Sequence, residues 1–122
     1  MIVSISNYEM ERHFNRLKEL YGSDKVMPAA VAYKIVRAAV TMQDALTPFG
    51  MVRDQLIKRY SGGRDRINRE DDPAAFDACA KELDEIGNKA VQVELPEIGL
   101  DELENVNFTL REMESLRLLI KE

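Results

Sequence analysis

The chain has 122 residues, of which 45% are hydrophobic and 32% are charged, and its formal net charge is −5. This composition is typical of a globular protein, and a chain of this length can bury about two-thirds of the surface that its unfolded form exposes. We therefore expect a single domain over residues 1–122. The sequence has no apolar run long enough to span a membrane and no signal-peptide pattern, and its one cysteine excludes an internal disulfide. These features favour a cytoplasmic protein without membrane contact.

The charge is unevenly distributed along the chain. Residues 53–69 carry a balance of +4, whereas residues 70–122 carry −10. A basic segment next to an acidic second half indicates either internal pairing or two different outer partners, and the sequence leaves both open. The overall acidity argues against a general nucleic-acid-binding protein, so we expect no nucleic-acid partner.

The N-terminal residues predict a short strand followed by a helix. Residues 2–5 are mostly β-branched, which favours a strand. Ser6 and Glu9 then have the spacing of a capping box, which predicts a helix over residues 7–21. Gly22 ends that helix, since glycine tolerates the backbone conformation of a helix C-cap.

The segment from Pro28 predicts a long helix over about residues 28–60. Its apolar residues recur in alternating steps of four and three, the spacing of a heptad seam. The members of this seam are Val31, Ile35, Ala38, Met42, Ala45, Phe49, Val52 and Leu56. Pro48 lies within the seam, so either one helix is kinked there or two helices meet there. Because the apolar register continues through the proline, we expect one continuous, kinked helix.

The loop that follows is predicted to end at Asp72, which acts as the N-cap of a helix over residues 73–86. That helix should fold back on the second half of the long helix as an αα-hairpin. Residues 91–95 alternate apolar and polar side chains, which predicts a strand, and the available mate for it is the strand over residues 2–5.

Thr109 and Glu112 form a second capping box, which predicts a last helix over residues 109–120. The fold class that follows is mainly α. A long kinked central helix is packed by three shorter helices, with a small two-stranded sheet.

No stretch of the sequence has the shape of a catalytic motif, so we expect neither an enzyme nor a cofactor. His13 lies at the edge of an apolar helical stripe and Cys79 lies between two alanines, which favours structural roles for both side chains. The clusters of acidic residues fall at helix starts and in polar connections, where solvation explains them, so we expect no metal site.

One segment resembles a binding site. Residues 61–69 combine glycines with spaced arginines, a pattern that could hold phosphate groups. The candidate partner-binding residues are Arg59, Arg64, Arg66 and Arg69. The alternative is a solvated loop whose arginines pair with the acidic residues 70–72.

The long helix also predicts self-association. Besides its seam it carries a second, weaker apolar line of Tyr33, Val36 and Val40, and a helix that is apolar on several faces is buried on several sides. We therefore predict a homo-oligomer whose interface lies on the seam, with cover by the chain's own first and last helices as the alternative. The predicted interface residues are Ile35, Ala38, Met42, Ala45 and Phe49.

The order of the predicted parts carries a family resemblance. A capped first helix leads to P-A-A-V-A-Y-K-I (28–35), which opens the long helix, and an acidic helix is followed by V-Q-V-E-L-P-E-I-G-L-D-E-L-E (91–104) and the capped last helix (109–120). Their order resembles that of a family of short, uncharacterised proteins encoded by bacteriophages and prophages of Gram-positive bacteria. The resemblance implies a phage-encoded chain that acts in the host cell, and it supplies no catalytic residues to carry over.

Three functions are compatible with these observations. The first is a non-enzymatic protein–protein interaction protein, a structural accessory or host-takeover factor with a phage or host protein as partner. The second is an acidic inhibitor of a bacterial anti-phage defence system that mimics nucleic acid. The third is a small nucleotide- or phosphate-binding protein that uses the arginine loop, residues 61–69.

Overall fold

Four helices and two small sheets make up the structure, a computed structural model that describes residues 1–121. The predicted class, mainly α with a long central helix and a small antiparallel sheet, is confirmed. The elements in chain order are β1 (Ile2–Ser6), α1 (Asn7–Tyr21), α2 (Ala29–Ser61), α3 (Pro73–Gly87), β2 (Ala90–Glu94), β3 (Ile98–Gly99), a short 3₁₀ helix (Leu100–Leu103), α4 (Leu110–Leu116) and β4 (Ile120–Lys121).

Helix α2 runs without a break through Pro48, as its apolar register predicts. Proline has no N–H, so the carbonyl of Asp44 loses its helical partner, but Asp44 and Pro48 are both exposed to solvent. The Thr47 hydroxyl donates to the Gln43 carbonyl at 3.0 Å within the same turn. The helix ends at Gly62, whose φ of 72° lies in the left-handed region that glycine reaches without strain.

The predicted pairing of the first and second strands is confirmed. β1 and β2 are antiparallel, with Ile2 opposite Glu94 and Ser6 opposite Ala90. The strand leads directly into α1, because the Ser6 hydroxyl accepts the Glu9 N–H at 3.2 Å and starts the helix.

The C-terminal helix is shorter than predicted. The capping box of Thr109 and Glu112 forms, but α4 ends at Leu116 rather than at residue 120. The following residues leave the helix because they pair with β3 in parallel, with Ile98 opposite Ile120, and the Ile98 N–H donates to the Leu119 carbonyl at 2.7 Å. Leu119 is completely buried in this arrangement, so the pairing satisfies backbone groups and buries apolar surface together.

The main core lies between α1, the first half of α2, the β1–β2 sheet and the C-terminal segment. Its largest completely buried side chains are Met10, Ile35, Met42, Ile98, Leu116 and Leu119. α3 packs on the second half of α2, as the αα-hairpin predicts. Its C-terminal end is tied to α1, since the Asn7 side-chain amide donates to the Ile86 carbonyl at 2.9 Å.

Candidate functional site

The predicted interface residues of the seam point into the chain's own core. Ile35, Ala38 and Met42 are completely buried, Phe49 is 4% exposed and Ala45 is half-buried. α1, the sheet and the C-terminal segment provide their cover, which was the alternative left open by the sequence. The folded chain therefore does not offer these five side chains to a second subunit, and an oligomer requires a different surface.

The opposite side of α2 provides such a surface, which we call the outer face. It is the row of exposed side chains at heptad spacing on the solvent side of the helix, and its apolar members Tyr33, Val36 and Val40 are 67%, 43% and 50% exposed. The whole row is Ala29, Tyr33, Val36, Val40, Gln43 and Thr47. Apolar side chains that recur at this spacing are a typical docking surface for another helix.

One flank of the outer face carries two opposite charges. Arg37 and Asp44 are both exposed and are seven residues apart, so they lie on the same side of the row, about 10 Å apart along the helix axis. Within residues 1–121 neither of them has an oppositely charged group within 4.0 Å. Met51, 60% exposed, lies one further heptad along the same flank.

The four candidate arginines have separate local environments. The Arg64 side chain donates from Nε to the Ser61 carbonyl at 3.0 Å and so closes its own turn. The guanidinium of Arg69 lies 5.6 Å from the centre of the Phe76 ring, whereas Arg59 is exposed on α2. In the described part of the chain, none of the four lies within 4.0 Å of a carboxylate, so the predicted pairing with residues 70–72 is absent there.

Arg66 borders an apolar cavity that the sequence analysis missed. The cavity has a volume of about 250 Å³ and lies between the end of α2, the arginine loop and α3. Its other lining residues are Ile57, Ile67, Phe76, Cys79, Ala80 and Leu83. The alanines of α3 were the sequence feature that could have indicated this cavity, because such small side chains leave space between packed helices. Burial raises the pKa of the Cys79 thiol, which favours its protonated form.

Polar contacts join the C-terminal part of the chain to α2 and to the α1–α2 connection. Lys34 on α2 donates to the Glu97 carbonyl at 2.8 Å and to the Glu102 carboxylate at 2.9 Å. The hydrogen bond from Lys34 and a second one from the Gly99 N–H lower the pKa of Glu102. Lys25 similarly pairs with Glu112 at 3.0 Å, which joins the α1–α2 connection to α4.

His13 is half-buried on α1, and its Nδ1 atom has no hydrogen-bond partner among the described residues. Burial, followed by the positive charges of Arg16 and Arg12, lowers its pKa from the ordinary value of 6.5. A half-buried side chain with a lowered pKa is compatible with the structural role that its position on the helix predicts.

Among residues 1–121 no group of three or more His, Cys, Asp or Glu side chains is arranged to hold a metal ion. Over the same residues, no helix combines the length and apolar character that crossing a membrane requires.

The comparisons with known proteins give no match, neither to a family model, nor to a curated protein, nor to a solved structure. The candidate sites therefore rest on this chain's own geometry.

Proposed function

We propose that this chain is a non-enzymatic protein–protein interaction protein, encoded by a phage or prophage, that binds its partner through the outer face of α2. The observation that carries this proposal is the exposure of Tyr33, Val36 and Val40 in one line along a helix of 33 residues. Single exposed apolar side chains are normal on a protein surface, but a row of them at heptad spacing is typical of a docking surface.

The distribution of apolar and polar residues around α2 supports the same proposal. The inner side of the helix is apolar and largely buried, although its seam member Val52 is 39% exposed. The outer face is apolar from Ala29 to Val40 and then polar at Gln43 and Thr47. A face of mixed character remains soluble when it is free and still has apolar surface to bury on binding, as protein interfaces of the non-obligate kind do.

The test compares two substitutions of exposed apolar residues. Val36→Arg changes the outer face, whereas Leu110→Arg changes a side chain at the start of α4 that is 91% exposed and lies outside that face. Partners are identified by affinity purification from phage-infected cells, and each purified pair is then measured by calorimetry. We expect Val36→Arg to abolish binding and Leu110→Arg to retain it. A partner that binds both variants as tightly as the unmodified chain would contradict the proposal.

The acidic half of the chain favours a second candidate, inhibition of a defence protein through nucleic-acid mimicry. Many carboxylates of residues 70–122 are exposed, among them Asp77, Asp84, Glu94 and Glu104. An acidic mimic binds a basic channel through charge, so its affinity should fall steeply between low and physiological salt. Binding through the apolar outer face should change little over the same range, so a salt titration of the measured affinity separates the two functions.

The arginine loop favours a third candidate, binding of a phosphate or nucleotide. Its three arginines and the neighbouring Arg59 have no carboxylate partner within the described residues, and Arg66 lies at an apolar cavity of a size suited to a small ring. A nucleotide at 100 times its dissociation constant should stabilise the chain by about 2.7 kcal/mol, which a thermal-shift screen detects. No shift with any nucleotide or with inorganic phosphate would exclude this candidate.

A further inference from the structure

The outer face of α2 carries two opposite charges on one flank, Arg37 and Asp44. Arg37 and Asp44 occupy the same heptad position on one flank, and about 10 Å along the axis keeps them from pairing with each other. At the matching positions on the opposite flank the side chains are uncharged and turn toward the chain's own core, with Ala32 and Leu46 half-buried and Ala39 buried. The face therefore has a positive and a negative group on one side only.

We infer that the outer face of α2 pairs with the same face of a second copy of this chain, with the two helices antiparallel about a two-fold axis near Val40. This inference rests on the proposed function, because it names the partner of the same surface. In an antiparallel pair each flank meets the identical flank of the other helix. An axis midway between residues 40 and 41 then places Arg37 of each copy opposite Asp44 of the other, twice by symmetry.

The same axis fixes the other contacts of the face. Val40 lies next to its own symmetry mate at the centre, Tyr33 lies opposite Thr47, Val36 lies opposite Gln43, and Ala30 on the flank lies opposite Met51. A large side chain is thus placed against a smaller one at both ends of the contact, which allows the helices to approach closely. A parallel pair has no such match, because Arg37 and Asp44 of one helix would face the uncharged flank of the other.

The oligomeric state is the first readout. Sedimentation equilibrium at micromolar concentration should give twice the chain mass of 13.9 kDa for the unmodified protein. Val40→Arg places two like charges next to each other at the centre of the contact and should give the monomer mass, whereas Leu110→Arg should remain dimeric, and circular dichroism verifies that both are folded. A monomer at every concentration for the unmodified chain would overturn self-association. If that monomer still binds another protein and loses it with Val36→Arg, the proposed function stands without the dimer.

A charge exchange tests the orientation of the helices. Arg37→Asp alone turns two attractive contacts into two repulsive ones, and we expect it to weaken dimerisation about tenfold, an effect of the size that two exposed ion pairs allow. Asp44→Arg alone should weaken it similarly. The double variant Arg37→Asp, Asp44→Arg restores both pairs across the axis and should recover the original affinity. If the double variant is weaker than either single one, the antiparallel register is wrong.

Cysteine cross-linking gives an independent measure of the same register. Val40→Cys places a thiol within about 2 Å of its symmetry mate along the axis, so the two copies should form a disulfide on mild oxidation. Tyr33→Cys places the two thiols about 22 Å apart along the axis and should not cross-link with itself. It should cross-link in a mixture with Thr47→Cys. Equal self-linking of Tyr33→Cys and Val40→Cys would indicate a parallel pair and refute the inference.

Discussion

A contact between a glycine and an aromatic ring at the junction of α1, α2 and α3 allows a quantitative test of the packing. A Cβ atom added at Gly87 would lie 2.3 Å from two ring carbons of Tyr8. Carbon atoms in contact are about 3.5–4.0 Å apart, so the ring has to move by more than 1 Å. Two contacts hold the ring, because its hydroxyl donates to Asp84 at 2.7 Å and it packs perpendicular to the Phe49 ring with centroids 5.6 Å apart.

The substitution Gly87→Ala should therefore destabilise the chain although alanine favours helix. Overpacking of this kind costs about 1–3 kcal/mol, whereas replacing a helical glycine by alanine gains at most about 1 kcal/mol. We expect a net loss of about 1–2 kcal/mol, measured by urea denaturation. The matched control is Gly50→Ala in α2, where an added Cβ meets nothing within 4 Å, and it should gain up to about 1 kcal/mol.

A double-mutant cycle identifies the cause of the loss. In a Tyr8→Ala background the ring is absent, so Gly87→Ala should no longer destabilise the chain. If Gly87→Ala and Gly50→Ala instead raise stability equally, the Tyr8 ring is free to move and the packing argument is refuted.

Two further predictions concern pH. Because burial and the charges of Arg16 and Arg12 lower the pKa of His13, nuclear magnetic resonance of this single histidine should give a midpoint below 6.5, and folding stability should fall as pH falls through that midpoint. A midpoint at or above 6.5 would contradict this. The lowered pKa of Glu102 stabilises the fold above the ordinary value of 4.5, and this contribution is lost as pH falls through the folded-state pKa. Glu102→Gln should flatten this acid dependence in urea denaturation, whereas Glu104→Gln, which removes a carboxylate without an ion pair in residues 1–121, should leave it intact.

The sequence predicted the long elements well because their signals extend over many residues. The heptad seam of α2 continues for nearly four heptads, and such a pattern outweighs the local effect of Pro48. The short elements carry no comparable signal. β3 and β4 have two residues each, and the spacing of Leu116 and Leu119 fits a turn as well as a helix, so the end of α4 was placed too late. Pairing with β3, a contact between distant parts of the chain, decides that boundary.

The candidate sites show a different limit of sequence reasoning. A heptad seam predicts that a helix is covered but does not specify whether the cover belongs to the same chain, and here α1, the sheet and the C-terminal segment supply it. The cavity beside Arg66 depends on the sizes of side chains from α2, the arginine loop and α3, and the pattern along one element does not predict the space between three. The outer face was visible as the line of Tyr33, Val36 and Val40, but its importance follows only once the seam is known to be filled.

The different composition of the two faces of α2 determines what kind of dimer is expected. The inner face is apolar at almost every heptad position, and the rest of the chain covers most of it. The outer face contains Gln43 and Thr47 besides its apolar residues, so its exposure in a monomer costs less than exposure of the inner face would. Few large apolar side chains are then left to stabilise the pair, and the dimer should exchange readily with monomer at micromolar concentration. A surface of this kind can also be released to a second protein, because any partner that buries Tyr33 and Val36 more completely competes with the copy of the chain itself.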